Sequence, residues 1–146
     1  MNKLSNPNKI LLYSYLCNLE EELKDSFGEF NIKDKDLCTF LDKNRIFIGS
    51  YTEANEKKKG EFKYYMLSNL RKPDKHKEIS GNAYAYLHLK HIRNAIAHGN
   101  VVSVNKLNFT IEDYTEQGNK SAIGKINCKL FYQLIEALLK TKNNKL

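Results

Sequence analysis

The chain has 146 residues, a length that fits one domain around a single core and leaves no room for a second. Its 24 Lys and Arg against 17 Asp and Glu give a net charge of +7, which draws polyanions to the surface but does not by itself establish nucleic-acid binding. Three cysteines, Cys17, Cys38 and Cys128, lie far apart with no Cys-x-x-Cys pair, which excludes a disulfide framework and a cysteine zinc site and leaves each as a small buried apolar residue.

Ser5-Asn6-Pro7 predicts a helix start, with a capping side chain and then Pro in the first turn. Ile10, Tyr13, Leu16, Leu19 and Leu23 follow as one apolar stripe, and Gly28 closes the helix. The run Ile10–Leu19 is too short to span a bilayer and the polar start is unlike a signal peptide, so a soluble cytoplasmic protein is expected. A second helix begins near Lys33-Asp34 and carries Leu37, Phe40, Leu41, Ile46, Phe47 and Ile48. The Lys57-Lys58-Lys59 run reads as a solvated stretch. A third helical stripe takes in Phe62, Tyr65, Met66, Leu67 and Leu70 before Pro73-Asp74 stops it.

Ser80 is placed to cap a fourth helix, whose apolar pattern Tyr84, Leu87, Leu89, Ile92, Ile96 and Ala97 ends at Gly99. Beyond it Val101, Val102 and Val104 are β-branched, and Leu107–Tyr114 alternates apolar with polar residues. A turn at Glu116–Asn119 leads to a returning strand over Ser121–Ile126, and Asn127 caps a last helix carrying Leu130, Phe131, Leu134, Ile135, Leu138 and Leu139. These elements predict a mainly α fold: an up-down bundle of four to five helices with a small β-hairpin inserted before the last helix.

The end of the fourth helix, Arg93-Asn94-Ala-Ile-Ala-His98-Gly99, carries the chemistry. An imidazole titrates near neutrality, so His98 can take a proton from a ribose 2′-hydroxyl and later return one. A guanidinium stays charged and forks onto phosphate oxygens, so Arg93 can hold the scissile phosphate. Five helical residues turn the chain so that the two Cα atoms lie about 140° apart around the axis. They converge only if His98 sits in a loosened last turn, which Gly99 allows. Asn94 and His98, four apart, share a face. An Arg and a His in a last turn also suit the helix dipole with no function, but the full Arg-Asn-x-x-x-His-Gly pattern is more specific than that.

This segment resembles the signature of the HEPN superfamily (higher eukaryotes and prokaryotes nucleotide-binding domain): Arg, four to six intervening residues of which the first is polar and often Asn, then His. The resemblance implies one HEPN-like domain over residues 1–146, built as a helical bundle that dimerises to bring two motifs into a shared cleft. It further implies a metal-independent endoribonuclease that leaves a 2′,3′-cyclic phosphate and a 5′-hydroxyl, with Arg93 and His98 catalytic and Asn94 supporting. RNA, a second copy of the chain, and an antitoxin or antiviral-defence component are the implied partners, with no cofactor, no metal and no membrane. A toxin subgroup continues the motif as His-x-Tyr; here that position is Asn100, which argues against regulation through that tyrosine. Two other readings fit the same residues, a HEPN-like module that binds RNA or nucleotide without cutting it and a helical dimeric adaptor or immunity protein.

Lys90, His91 and Asn100 flank the motif as secondary substrate-binding candidates. His88 and His91 have a metal-ligand spacing, but no neighbouring acid or thiol in the sequence completes such a site. Tyr64-Tyr65 and Tyr84-x-Tyr86 could stack on bases but suit a core or an interface better. Glu20-Glu21-Glu22 reads as a solvated helix face.

Overall fold

The computed structural model describes residues 4–52, 58–70 and 83–142. Among these, helix α1 (Asn6–Leu23) and helix α2 (Lys35–Asn44) precede strand β1 (Ile46–Ser50), a 3-10 turn (Lys58–Glu61) and strand β2 (Tyr64–Ser68). Helix α3 (Ala83–Ala97), strands β3 (Val101–Ser103), β4 (Asn108–Tyr114) and β5 (Lys120–Asn127), and helix α4 (Cys128–Leu139) follow. The expected stops and caps at Pro73-Asp74 and Ser80 lie outside the described residues, as does Lys57.

The up-down helical bundle is overturned. The strands form one five-stranded mixed sheet in the order β1-β2-β5-β4-β3, parallel only between β1 and β2, so the architecture is α+β. The expected hairpin exists as β4 and β5, but it is the middle of a sheet rather than an insertion. Two segments expected to be helical supply β1 and β2. Ile46–Ile48 leaves the second helix because Arg45 takes a left-handed conformation, φ 56°, and its N–H donates to the carbonyls of Leu41 and Asp42. That turn ends α2 and starts β1 at the next residue. Tyr64–Ser68 is the strand β2, whose last three residues are all buried. A strand covered on both faces loses the polar-apolar alternation by which strands are recognised.

The helices cover one face of the sheet. α3 packs over β2 and β4, α4 over β4 and β5, α1 lies on α3, and α2 joins α4 to β1. The register aligns the residues that meet them in transverse rows: Ile48, Met66, Gly124 and Ile111 form one. Gly124 keeps that row shallow, since a Cβ there would come within 2.8 Å of Met66 Sδ and 3.2 Å of the Tyr65 carbonyl. Phe109 stacks edge-on against Phe131 and Tyr132 of α4 and anchors β4 beneath that helix.

Local chemistry at the helix starts matches the sequence. The Ser5 hydroxyl accepts from the Asn8 N–H, Asp34 from Leu37, and Asn127 from both Lys129 and Leu130 at 3.0 and 3.2 Å. Asn127→Ala is expected to destabilise the fold by about 1 kcal/mol, read as a lower urea midpoint with an unchanged slope. An unchanged midpoint would show that this cap adds nothing.

The stripe on α1 divides in two. Leu19 and Leu23 are buried, joined by Leu12 from outside the stripe, whereas Ile10 and Tyr13, 72% and 67% exposed, face outward together with Cys17. The cysteines accordingly depart from expectation, with Cys17 and Cys38 exposed and Cys128 half-buried. They sit on outward or bordering faces of α1, α2 and α4. No helix among the described residues is long and apolar enough to cross a membrane.

Candidate active site

Helix α3 crosses the sheet with a polar edge, and the sequence places four functional side chains on it. Ser68, Ala122 and Asp113 form a transverse row across β2, β5 and β4, with the small alanine in the middle. One turn of α3 spans this row. His88 Nδ1 lies 2.9 Å from Ser68 Oγ, and His91 Nδ1 lies 2.7 Å from Asp113 Oδ2.

The two histidines are therefore not arranged around a shared ion: each reads a different strand. Among the described residues no group of three His, Cys, Asp or Glu side chains is placed to hold a metal. His88 is fully buried, and burial first, then the nearby charge of His91, pushes its pKa down from 6.5 to about 3. The unfolded chain takes up this proton below pH 6.5, whereas the folded chain resists it until about pH 3. Stability present above pH 6.5 is therefore lost as the pH falls through that window, at a limiting slope of about 1.4 kcal/mol per unit from this group. In urea titrations from pH 7 to pH 4, His88→Asn is expected to flatten the acid-side fall. Equal slopes for both proteins would show that His88 does not carry it.

His91, a candidate for contacting substrate, is instead held on both sides. Its side chain is 14% exposed, and its Nε2 lies 2.9 Å from the carbonyl oxygen of Asn69, just after β2. Asp113, 3% exposed at its side chain, accepts from His91, from the Tyr114 N–H at 2.9 Å and from the Asn94 amide nitrogen at 3.4 Å. The other end of the Asn94 amide accepts from Arg93 Nη1 at 2.8 Å. Arg93 then reaches α1, donating from Nε to Glu20 Oε1 at 2.7 Å and pairing through Nη2 with the same oxygen. A continuous polar line thus runs from the Asn69 carbonyl to Glu20, through three elements of the fold.

A guanidinium has five N–H donors. Glu20 takes one on Nε and one on Nη2, and Asn94 takes one on Nη1. Among the described residues two remain, one on each η nitrogen of a side chain that is 35% exposed. Those two are enough to fork onto a phosphate. Arg93 also borders a surface cleft of about 290 Å³, together with Lys24, Tyr86 and Lys90. Tyr86 stands edge-on to Phe27 at 5.1 Å, so one ring of the Tyr84-x-Tyr86 pair is half-buried packing while Tyr84 is exposed.

His98 sits one residue beyond the end of α3. The Gly99 N–H donates to the Ile96 carbonyl and the Asn100 N–H to the Ala95 carbonyl, with Gly99 at φ +71°. This pair of bonds is the glycine-terminated Schellman arrangement, and it makes His98 the capping residue. Its ring is exposed and, among the described residues, makes no hydrogen bond. Asn94 meets His98 only through the backbone, its carbonyl accepting the His98 N–H at 3.0 Å. Within the chain, then, Arg93 and Asn94 are joined and His98 stands apart from both. Asn100 is half-buried, its carbonyl accepting from the Glu112 N–H at 3.1 Å. A groove of about 390 Å³ walled by Leu12, Leu16, Ile96 and Val101 opens beside Gly99 and Tyr13.

Three members of this site were not proposed for it from the sequence. Asp113 had a legible sign, an acid at the inward position of the Phe109-x-Ile111-x-Asp113 alternation, where a charge survives only with partners. Glu20 is one of three consecutive glutamates and nothing in the sequence sets it apart; Glu22 pairs with Lys142 at 3.4 Å. The Asn69 contribution is a backbone oxygen, which no side-chain pattern reveals.

A family model described as HEPN pEK499 p136 matches residues 9–145. No curated protein and no solved structure matches the chain.

Proposed function

The chain belongs to the HEPN family over nearly its whole length, and on that premise we propose that it is a metal-independent endoribonuclease working as a homodimer. Membership points to a nuclease or RNA-related function at the level of the family. The observation that carries the finer reading is the contrast between the two motif residues: Arg93 is held by Glu20 and Asn94 with, among the described residues, two donors left over, and His98 is an exposed imidazole beside a positive-φ glycine.

In the proposed reaction His98 removes the proton of a ribose 2′-hydroxyl. The freed oxygen attacks the adjacent phosphorus while Arg93 holds the phosphate oxygens on which charge builds. The bond from phosphorus to the 5′-oxygen breaks, leaving a 2′,3′-cyclic phosphate, and the departing oxygen takes a proton to become a 5′-hydroxyl. That last proton needs an acid, and among the described residues one chain offers a single exposed histidine. A second His98, from a copy docked across a twofold axis, supplies it. The outward apolar residues Ile10 and Tyr13, with the groove that ends at Gly99, are the surface on which that copy would sit. The proposed setting is a prokaryotic toxin–antitoxin or abortive-infection system, as the motif resemblance implies.

The test is incubation of the purified protein with mixed RNAs in EDTA, with product ends identified and the protein sized in parallel. Cyclic-phosphate and 5′-hydroxyl ends made by a dimer are expected. RNA bound but left intact would replace this reading with that of a binding module.

A further inference from the structure

We propose that Asp113, backed by His91, is the positioning residue of this site and sets the direction of the Arg93 guanidinium through Asn94. The inference rests on the reading of Arg93 as the phosphate-holding cation, and it adds two residues from outside the motif to the working unit.

A carboxylate only accepts and a guanidinium only donates, while an amide side chain does one at each end. Asn94 lies between the two, its nitrogen toward Asp113 Oδ2 and its oxygen toward Arg93 Nη1. Only one of its two flipped orientations satisfies both neighbours. Asp113 therefore selects the amide orientation that offers Arg93 an acceptor rather than a donor. With Glu20 holding the Nε edge and Asn94 holding Nη1, the planar guanidinium is pinned at both ends and its two remaining donors keep a fixed aim.

His91 explains how a carboxylate that is 3% exposed stays in place. Its ring lies between two acceptors, Asp113 at 2.7 Å from Nδ1 and the Asn69 carbonyl at 2.9 Å from Nε2, so a fixed backbone oxygen holds the ring against the carboxylate. A buried carboxylate without that partner would be costly. The arrangement has the logic of groups that orient a working residue from behind, whose loss costs roughly tenfold to a hundredfold in activity.

The experiment is a double-mutant cycle on the full chain with Asp113→Asn, Asn94→Ala and the pair, read by RNA cleavage and by NMR of the Arg93 Nε–H and Asn94 side-chain NH₂ signals. Asp113→Asn is expected to slow kcat at least tenfold with KM held, to broaden both NMR signals, and to cost almost nothing further once Asn94 is alanine. Multiplicative losses in the cycle, or Arg93 and Asn94 signals unmoved by Asp113→Asn, would overturn the proposal. A purely structural Asp113 would lower active protein equally in both backgrounds. If Asp113→Asn does not fold, His91→Gln keeps the carboxylate while removing the ring that lies against it, and the same NMR signals decide. If the wild type cuts no RNA, the ribonuclease reading falls, while the NMR arm still tests the positioning on its own.

Discussion

Alanine at position 98 is expected to slow RNA cleavage by about 100- to 10,000-fold, the range associated with a lost general acid or base, while leaving the folded protein almost as stable as before. The separation of the two effects follows from the geometry. The His98 ring is exposed and, among the described residues, carries no hydrogen bond, so its removal takes away no packing and orphans no partner. The helix end is kept by Gly99 and by the backbone bonds to Ile96 and Ala95, none of which uses the imidazole. Arg93→Ala should be equally inactive but less neutral, since it releases Glu20 and the acceptor end of Asn94. Because that ion pair is half-exposed, its loss is worth no more than about 1 kcal/mol. Initial rates on a fluorogenic RNA in EDTA, with thermal midpoints measured alongside, give both numbers. A His98→Ala protein that cuts as fast as wild type ends the assignment.

The largest effect on stability is expected from Phe109→Ala, at about 3–5 kcal/mol. Phe109 is fully buried, and its ring meets Phe131 edge-on at 5.7 Å and Tyr132 at 6.0 Å. Removing it empties the contact between β4 and α4, and a small domain has only about 5–15 kcal/mol to lose. β4 also carries Asp113 four residues further on, so a loosened strand reaches the polar line at Arg93 as well. Urea unfolding at neutral pH measures the loss. A change below about 1 kcal/mol would mean that neighbouring side chains collapse into the space.

What the sequence revealed and what it hid divide along a physical boundary. Signals made by a residue and its near neighbours were legible: the caps at Ser5, Asp34 and Asn127, the glycine ending α3, and the alternation of β4. Signals that depend on what lies above and below were not. Ile46-Phe47-Ile48 and Tyr65-Met66-Leu67 are apolar on successive residues, a pattern shared by a covered strand and a short stretch of helix. Their identity is decided by pairing with each other and with β5, more than fifty residues away. The candidate site divides the same way. Arg93, Asn94 and His98 stand out as a local pattern, whereas Glu20 and Asp113 join it only because α1 and β4 both pack against α3. The reading of His91 as a substrate-facing group changed for that reason: its partners come from a strand and a loop that local spacing does not reveal.

The row Ser68-Ala122-Asp113 has a consequence for folding as well as for chemistry. Side chains alternate across a sheet, so sliding β4 by one residue against β5 would turn Asp113 to the opposite face and bring Glu112 or Tyr114 under α3. Hydrophobic burial resists such a slip only in proportion to the area involved, but a histidine three residues from another histidine resists it by fit. With His88 seated on Ser68, His91 meets the Asp113 carboxylate in only one alignment of β4. The two rings thus work as a key with two teeth, fixing the strand alignment at two points, one on β2 and one on β4.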